Sequence, residues 1–407
     1  MELTEHHDLR GGVPAWRDSD WTPPPADPLP EGPCDIAIIG SGIMGSILAE
    51  RLSADGHSIV LLDRRPSGHG STAASTAELM WAMDVPLSHL SEKIGEAGAA
   101  RRWRCVYQAV RGLAARIEDL GVDCDRGDRP TVYLAGDVLD ETGLQHEAAF
   151  HARHDLPTRY LDADAVAARF GIAPRAALVS EGGFVVDPVK LAHGLLEIAR
   201  QRGAKLCYPC NVTSVLTRDG TVLTLEDGRE LNAKRVIFAS GYERARVFLP
   251  PQFSLLSSFV MATPPGVAPL WREDAMIWEA SDPYLYVRTT SDGRIIAGGE
   301  DEDFWDPLRR DALIEQKAGT IKAKVEAMLG CGPLSIDRQW AATFGSSPDG
   351  LPAIGPAAHM DEIWIAAGFG GNGIAFAALA ADLLAAQFSG KPDPDLALFD
   401  PYRFGDE

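Results

Sequence analysis

The sequence predicts an α/β protein of two domains, and three observations carry that expectation. First, an apolar run breaks into glycines in Asp35-Ile-Ala-Ile-Ile-Gly-Ser-Gly-Ile-Met-Gly45 and resumes with helical spacing. Second, a strand of the buried type follows and ends in an acid, His57-Ser-Ile-Val-Leu-Leu-Asp63. Third, Ile363-Trp-Ile-Ala-Ala367 runs through Gly368-Phe-Gly-Gly-Asn-Gly373 into an alanine-rich helix, so that strand, glycine turn and helix recur near the far end. The chain shows no solenoid-type repeat, and two such turns in 407 residues fit one extended dinucleotide better than two separate sites.

The elements follow in order. Residues 1–33 hold Trp16, Trp21 and Pro23-Pro-Pro25 without any period, and read as an irregular arm. The nucleotide unit begins at Cys34. Gly40 allows the tight bend out of the strand, Gly42 lets the backbone approach a pyrophosphate, and Gly45 lets the helix pack close to the strand. The phosphates would sit on free N–H groups at the helix N-terminus. The helix covers Ser46 to Asp55, and Asp63 stands where an adenosine ribose needs a diol acceptor, which favours FAD or NAD over NADP. The stretch from Ser67 to Ala77, rich in Ser, Thr and Gly, offers many donors to phosphate, ribityl or ring oxygens.

Helical spacing then runs from Leu87 to Leu120, with Gly121 as the stop and Trp103 and Tyr107 assigned to the core. Strand-like pieces at Thr131 to Ala135, Ala177 to Ser180 and Gly183 to Val186 suggest an interdomain sheet. Asp187-Pro188 opens a helix, Val189 to Arg202, closed by Gly203. Lys205 to Tyr208, Asn211 to Thr217, Val222 to Glu226 and Glu230 to Asn232 read as strands, with turns at Asp219-Gly220 and Asp227-Gly228. Arg235 to Tyr242 is a buried strand whose small-residue end, at Gly241, suits a second backbone approach to a nucleotide. Tyr284 to Arg288 and Arg294 to Gly299 form an expected antiparallel pair, and Arg309 to Leu329 an expected helix.

Composition excludes several classes. With 38 basic against 58 acidic residues the net charge is −20, which disfavours nucleic acid and anionic membrane as partners. The first residues lack the basic and apolar regions of a signal peptide, and the apolar helix from Ile374 to Phe388 is short for a membrane span and carries Asp382. A cytoplasmic location is therefore expected, and six scattered cysteines agree with a reducing compartment. Cys207-Tyr-Pro-Cys210 has a C-x-x-C spacing, but no second pair completes a zinc set, and both thiols are expected to be packed apart. The ten histidines show no metal spacing, so no metal is expected.

Four ordered motifs carry a resemblance: Ile39 to Gly45 with Asp63; Ser71-Thr-Ala-Ala-Ser-Thr76; Gly182-Gly-Phe-Val-Val-Asp-Pro188 leading to Ala239-Ser-Gly241; and Ser347-Pro-Asp-Gly-Leu-Pro-Ala-Ile-Gly355 with Gly368 to Ile374. Together they resemble the flavin-dependent D-amino-acid oxidase and glycine oxidase superfamily over nearly all the chain beyond Cys34. The resemblance implies a Rossmann-like FAD-binding domain of the glutathione-reductase type, assembled from residues 34–95, 182–245 and 340–407. An α+β substrate domain on a mixed antiparallel sheet would comprise residues 96–181 and 246–339. It places FAD contacts on Ile43 and Met44 at the pyrophosphate, Asp63 and Arg64 at the adenosine end, and Ser71 and Thr72 in the loop. Further contacts fall on Thr76, Ala77 and Glu78 beside the flavin, on Val212 near the adenine, and on Gly370, Gly371, Asn372, Gly373, Ile374 and Ala375 at the pyrimidine edge. A helix starting there would aim its N–H groups at the negative charge of reduced flavin.

The reaction implied is oxidation of a C–N bond, with hydride passing to flavin N5 and the imine hydrolysing, so the protein mainly orients a small-molecule amine. No protein side chain is assigned a catalytic role. Two departures stand out. Amino-acid-oxidising members often carry a carboxylate-clamping arginine in the segment matching Trp340-Ala-Ala-Thr-Phe-Gly345, where this chain has Phe344. The substrate-facing candidates are then Tyr284, Arg288 and Phe344. The segment matching the flavin-linking cysteine of the sarcosine-oxidase branch runs near Ala342, and no lysine lies between Tyr284 and Gly299, so FAD is expected to be non-covalent, with O2 or another carrier as acceptor. Oxidation of a 2-hydroxy acid on the same scaffold, or a flavin-binding subunit without turnover, are the competing expectations.

Overall fold

The computed structural model describes residues 3–16, 22–217, 220–243, 245 and 248–405; Trp21 of the arm and Asp219 of the expected turn lie outside them. Among these residues the strands form two sheets. The eight-stranded sheet runs Ala353–Ala357, Met360–Ala367, Glu230–Phe238, Cys34–Ile39, Ile59–Leu62, Lys205–Cys207, with the Val212–Thr217 and Thr221–Leu225 hairpin branching from Glu230–Phe238. From Met360–Ala367 to Lys205–Cys207 every pairing is parallel. Continuous apolar runs suit such strands because both faces are covered: Ile36, Ile38 and Leu61 face one core, and Ala37, Val60 and Leu62 another. The helices Ile43–Ala54, Pro188–Gln201 and Gly373–Phe388 pack on the first of these faces. Asp187 caps the second of these helices, accepting from the N–H groups of Val189 and Lys190 at 2.8 and 2.9 Å.

The ten-stranded sheet runs Arg10–Gly12, Arg338–Ser346, Ser254–Ala262, Ile295–Glu302, Leu285–Thr289, Met276–Glu279, Gly127–Leu134, Ala177–Val185, Glu78–Leu79, with Thr158–Leu161 also paired to Ala177–Val185. The expected pairing of Tyr284 to Arg288 with Arg294 to Gly299 is present, in the register Tyr286 to Gly298. The helix Ile314–Leu329 covers one face, where Phe259, Leu285, Val287, Ile295, Ala297 and Ala341 meet Ile321 and Val325.

Several elements differ from the sequence reading. The helix expected from Leu87 to Leu120 is two, Leu87–Ile94 and Glu96–Asp119, parted at Gly95 with φ 83°. The one expected from Arg309 to Leu329 is Pro307–Ala312 followed by Ile314–Leu329. Strand membership also departs from the expected division, because Arg338–Ser346 and Glu78–Leu79 pair within the ten-stranded sheet. Glu96–Asp119, counted above with the substrate domain, packs on Gly373–Phe388 of the nucleotide unit. The arm is not irregular throughout: Arg10–Gly12 is an edge strand in register Arg10 to Ala342. It is fastened to the loop before the Glu78–Leu79 strand, since Arg10 Nε donates to the His69 carbonyl at 3.0 Å and Trp16 Nε1 to that of Ser75 at 2.6 Å.

Candidate active site

One long cavity, enclosing about 1910 Å³ with its open mouth, lies between the two sheets and is lined from both. Its first wall is the glycine turn. Gly40 takes φ 113°, and a Cβ there would overlap the Ala239 carbonyl oxygen, so the first strand leaves the sheet against its neighbour's end. A Cβ at Gly45 would overlap the Gly40 carbonyl, which is the close helix–strand packing expected of that position. Gly42 faces Thr72, whose Oγ1 accepts from Ile43 N–H at 2.9 Å. Asp63 accepts from Ser41 N–H at 2.7 Å and from Ser41 Oγ at 2.9 Å, while Arg65 N–H binds its other oxygen at 2.9 Å. Arg64 and Arg65 both pair with Glu243.

The second wall is the stretch 68–78. Ser71 Oγ and Glu78 Oε1 are buried without a hydrogen-bond partner, and both residues border the cavity. Burial pushes the Glu78 carboxyl up to about 8, against the pull of Arg288. Orphaned buried polar atoms are costly unless a bound molecule meets them. The third wall begins the helix Gly373–Phe388. Asn372 Nδ2 donates to the carbonyls of Met80 and Ala82 at 3.1 and 2.8 Å, fixing the helix start to the loop that carries Asp84. Asp84 in turn accepts from Gly371 N–H at 2.7 Å. The first turn of a helix leaves N–H groups without intrahelical partners, and the dipole adds positive character there.

The fourth wall is the ten-stranded sheet: Ser258, Val260, Trp278, Tyr284, Tyr286, Ala342, Thr343 and Phe344. Tyr286 lies across Gly298, where any Cβ would overlap its ring. The tyrosines at 284 and 286 are 5.7 Å apart between ring centroids, and burial raises both phenols, with Asp301 adding a like charge. Asp301 reaches this side through a bulge. Gly299 and Glu300 take φ 135° and 56°, and the pairing with Ser254–Ala262 shifts register between Ser257 and Phe259. Alternation would have placed Glu300 toward the cavity. Instead Glu300 pairs with Lys317 and Lys324 of the covering helix, and Asp301 stands beside Ser258.

Most residues singled out from the sequence meet here. Gly40, Gly42, Ile43, Met44, Asp63, Arg64, Ser71, Thr72, Thr76, Ala77, Glu78, Val212, Gly241, Gly370 to Ile374, Tyr284 and Phe344 all border the cavity. Gly45 and Ala375 lie behind its wall. Arg288 must be corrected as a substrate-facing candidate. It is 2 % exposed, and its guanidinium donates to the carbonyls of Thr76, Ala77 and Val186 at 2.8 to 2.9 Å, and to Thr289 O at 2.9 Å. A cation spent on carbonyls has no face left for a substrate. Sequence reasoning missed Asp84, Ser258, Trp278, Tyr286, Glu243 and Asp301, of which only Tyr286, two residues from Tyr284 on the same strand face, left a readable signal. Cys207 and Cys210 are both buried free thiols, as expected, and Cys210 borders the cavity beside Val212.

A sequence model of the family described as FAD dependent oxidoreductase, DAO, matches residues 35–387. The chain belongs to this family. As a DAO-family FAD-dependent oxidoreductase it has FAD as cofactor, held without a covalent bond. It is 29% identical over 438 residues to the tRNA 5-methylaminomethyl-2-thiouridine biosynthesis bifunctional protein MnmC of Burkholderia orbicola, a match covering 96% of this chain and 63% of that protein. The chain thus spans less than two thirds of that relative's length. It is 27% identical to a D-amino-acid oxidase of Bradyrhizobium diazoefficiens, over 92% of this chain and all of that one. Among solved structures, L-proline dehydrogenase from P. horikoshii superposes with a TM-score of 0.77 at 20% identity, covering 92% of this chain and 98% of the other. Glycine oxidase from Geobacillus kaustophilus gives 0.75 at 20%, covering 91% and 98%. These two likenesses show the fold. No helix among the described residues is long and apolar enough to cross a membrane, and no described cluster of His, Cys, Asp and Glu is arranged to hold a metal ion.

The glycine cradle, the orphaned Ser71 Oγ and Glu78 Oε1 and the helix start at Gly373 fit a dinucleotide that brings its own acceptors and donors. The cavity segment near Ala342 presents no cysteine. Precipitating the yellow holoenzyme with trichloroacetic acid is expected to leave the colour in the supernatant; a coloured, washed pellet would contradict the non-covalent assignment.

Proposed function

We propose that this oxidoreductase oxidises the C–N bond of an amine or amino-acid-like compound. The observation that carries the reading is the continuity of the cavity, from the nucleotide cradle at Gly40 to Gly45 to the aromatic wall at Tyr284, Tyr286, Trp278 and Phe344. FAD, when bound, supplies the two-electron acceptor for the carbon next to nitrogen. The N–H groups of Gly42 to Met44 would hold the pyrophosphate and Asp63 the adenosine ribose, with Arg64, Val212 and Gly241 along that end. Ser71, Thr72 and Thr76 to Glu78 would flank the ring system, and Gly370 to Ala375 its pyrimidine edge, where the helix dipole favours negative charge. The two sheets correspond to the division of labour: the eight-stranded unit holds the cofactor, and the ten-stranded unit supplies the substrate wall.

The wall's part in the reaction is to orient an amine and keep water away, because its groups are rings and buried hydroxyls rather than a nucleophile and base. The test is anaerobic mixing of the holoenzyme with a panel of amines, amino acids and 2-hydroxy acids while the visible flavin band is followed. Bleaching by a nitrogen compound is expected. Bleaching by hydroxy acids alone, or by nothing in the panel, would remove this reading.

A further inference from the structure

We propose that the sheet side of the cavity is a cation subsite, in which Asp84, backed by Asp301, and the rings of Trp278, Tyr284, Tyr286 and Phe344 hold an alkylammonium group whose carbon carries no carboxylate. The proposal rests on the amine-oxidising reading and narrows it to a substrate class.

The distribution of charge comes first. Among the described residues of the cavity wall the only Arg or Lys side chains are Arg64 and Arg65, and both are held by Glu243 on the side of the eight-stranded sheet. A carboxylate entering the sheet side finds no cation. Asp84, in contrast, has a cavity-facing carboxylate whose partner is Gly371 N–H, and no described Lys, Arg or His forms an ion pair with it. Asp301 stands behind the lining, bonded to the cavity residue Ser258, while its Oδ1 is closed to solvent and has no hydrogen-bond partner. Lys317, the nearest cation acting on it, is already engaged by Glu302 at 2.6 Å and Glu300 at 3.6 Å.

Burial raises both carboxyls, Asp301 to about 7, and the charge of Asp84 adds to the rise of Asp301. A cation placed before them relieves that repulsion, and an anion adds to it. The rings act in the same direction, because aromatic faces attract ammonium groups and repel carboxylates. Phe344 belongs to the same wall, two strands from Asp301, through the register Leu256 to Phe344. The acid and the rings on this side therefore favour positive charge, and the remaining lining there, Ser258, Val260, Ala342 and Thr343, carries none.

The test separates binding from turnover. Oxidised holoenzyme is titrated with butyltrimethylammonium, which has no N–H and cannot become an imine, and with hexanoate and zwitterionic norleucine, each followed by the flavin absorption band and by calorimetry. The ammonium ion is expected to bind at least about tenfold more tightly than either carboxylate compound. Asp84→Asn, which keeps an acceptor for Gly371 N–H, should erase about tenfold of that preference, and Phe344→Arg should reverse it. Equal or tighter binding of hexanoate or norleucine to the native holoenzyme, or no binding of the ammonium ion, overturns the subsite. If Asp84→Asn does not fold, the native ranking and Phe344→Arg decide. Tight ammonium binding with no bleaching by any amine would keep the subsite and remove the amine-oxidation reading; bleaching by amines with hexanoate preferred would remove the subsite alone.

Discussion

Gly45→Ala is expected to yield protein that no longer retains FAD, with affinity reduced by at least about 100-fold, or ~3 kcal/mol. Gly45 lies in the first turn of Ile43–Ala54, where helix propensity alone would favour alanine over glycine by about 1 kcal/mol. Packing acts in the other direction and is larger. The added Cβ overlaps the Gly40 carbonyl oxygen, a backbone atom of the bend itself, so the helix must move away from the strand. That movement displaces the N–H groups of Gly42 to Met44, on which the phosphates are proposed to rest. Gly42→Ala should also lose FAD, but by the other route: its Cβ meets only Thr72 Oγ1, at 3.1 Å, so the bend can stay in place while the methyl stands where the pyrophosphate is proposed to approach the backbone. FAD titration of the apoproteins by flavin fluorescence measures both. Stoichiometric FAD in purified Gly45→Ala would refute the assignment of this turn.

Arg288→Met is expected to cost about 3–5 kcal/mol of stability, the range for removing one partner of a buried charge network, and to leave the preference between ammonium and carboxylate ligands unchanged. The guanidinium joins three separate segments, Thr76-Ala77, Val186 and its own strand, by bonds to their carbonyls. It also lies over the Trp16 ring at 5.2 Å, so the arm shares the same cation. Without it those carbonyls lose a charged donor, and the Glu78 carboxyl, held at about 8 by burial with Arg288 opposing, loses its counter-charge. Above about pH 8, where that carboxyl would otherwise ionise without a counter-charge, adding Glu78→Gln should recover part of the loss. Urea denaturation of the single and double variants gives the stability, and ligand titration the preference. A stable Arg288→Met protein with altered ligand preference would return Arg288 to the substrate residues.

The legible parts of this molecule were those set by local chemistry. The turn at Gly40 to Gly45, the acid at Asp63, the pair at Tyr284 and Arg294 and the helix ending at Phe388 each announce themselves within a dozen residues. What escaped depends on partners distant in sequence. Ser254–Ala262 and Arg338–Ser346 are strands because they lie against each other, with Ser258 opposite Ala342, and neither alternates cleanly enough to show it alone. The helices Glu141–Arg153 and Ala163–Phe170 left weak apolar stripes, although Asp140 and Asp162 cap them. Arg288 was misjudged because strand parity does put it on the cavity side, whereas its length carries the guanidinium past the cavity and under the Thr76-Ala77 backbone. Asp301 was hidden by the bulge, where two successive positive-φ residues, Gly299 and Glu300, exchange the faces of two adjacent acids. Asp84 stands in a loop, where no period marks a functional acid.

The pairing of Arg10–Gly12 with Trp340 to Ala342 has a consequence for the order in which the chain can be completed. During synthesis the arm is made before either sheet, and its edge partner only after the covering helix Ile314–Leu329. The helix start at Gly373 follows later still. A nascent chain can build much of both sheets, yet it reaches neither its seam with Arg10–Gly12 nor a closed cofactor cradle until the stretch from Arg338 to Phe388 has been made. Cofactor loading then waits for that stretch, and a stalled or truncated chain lacking the segment after Ala367 is expected to be a flavin-free chain with an open cradle at Gly40. Supply of FAD once the cradle has closed sets how much of the newly made protein passes directly to its folded, cofactor-bound form.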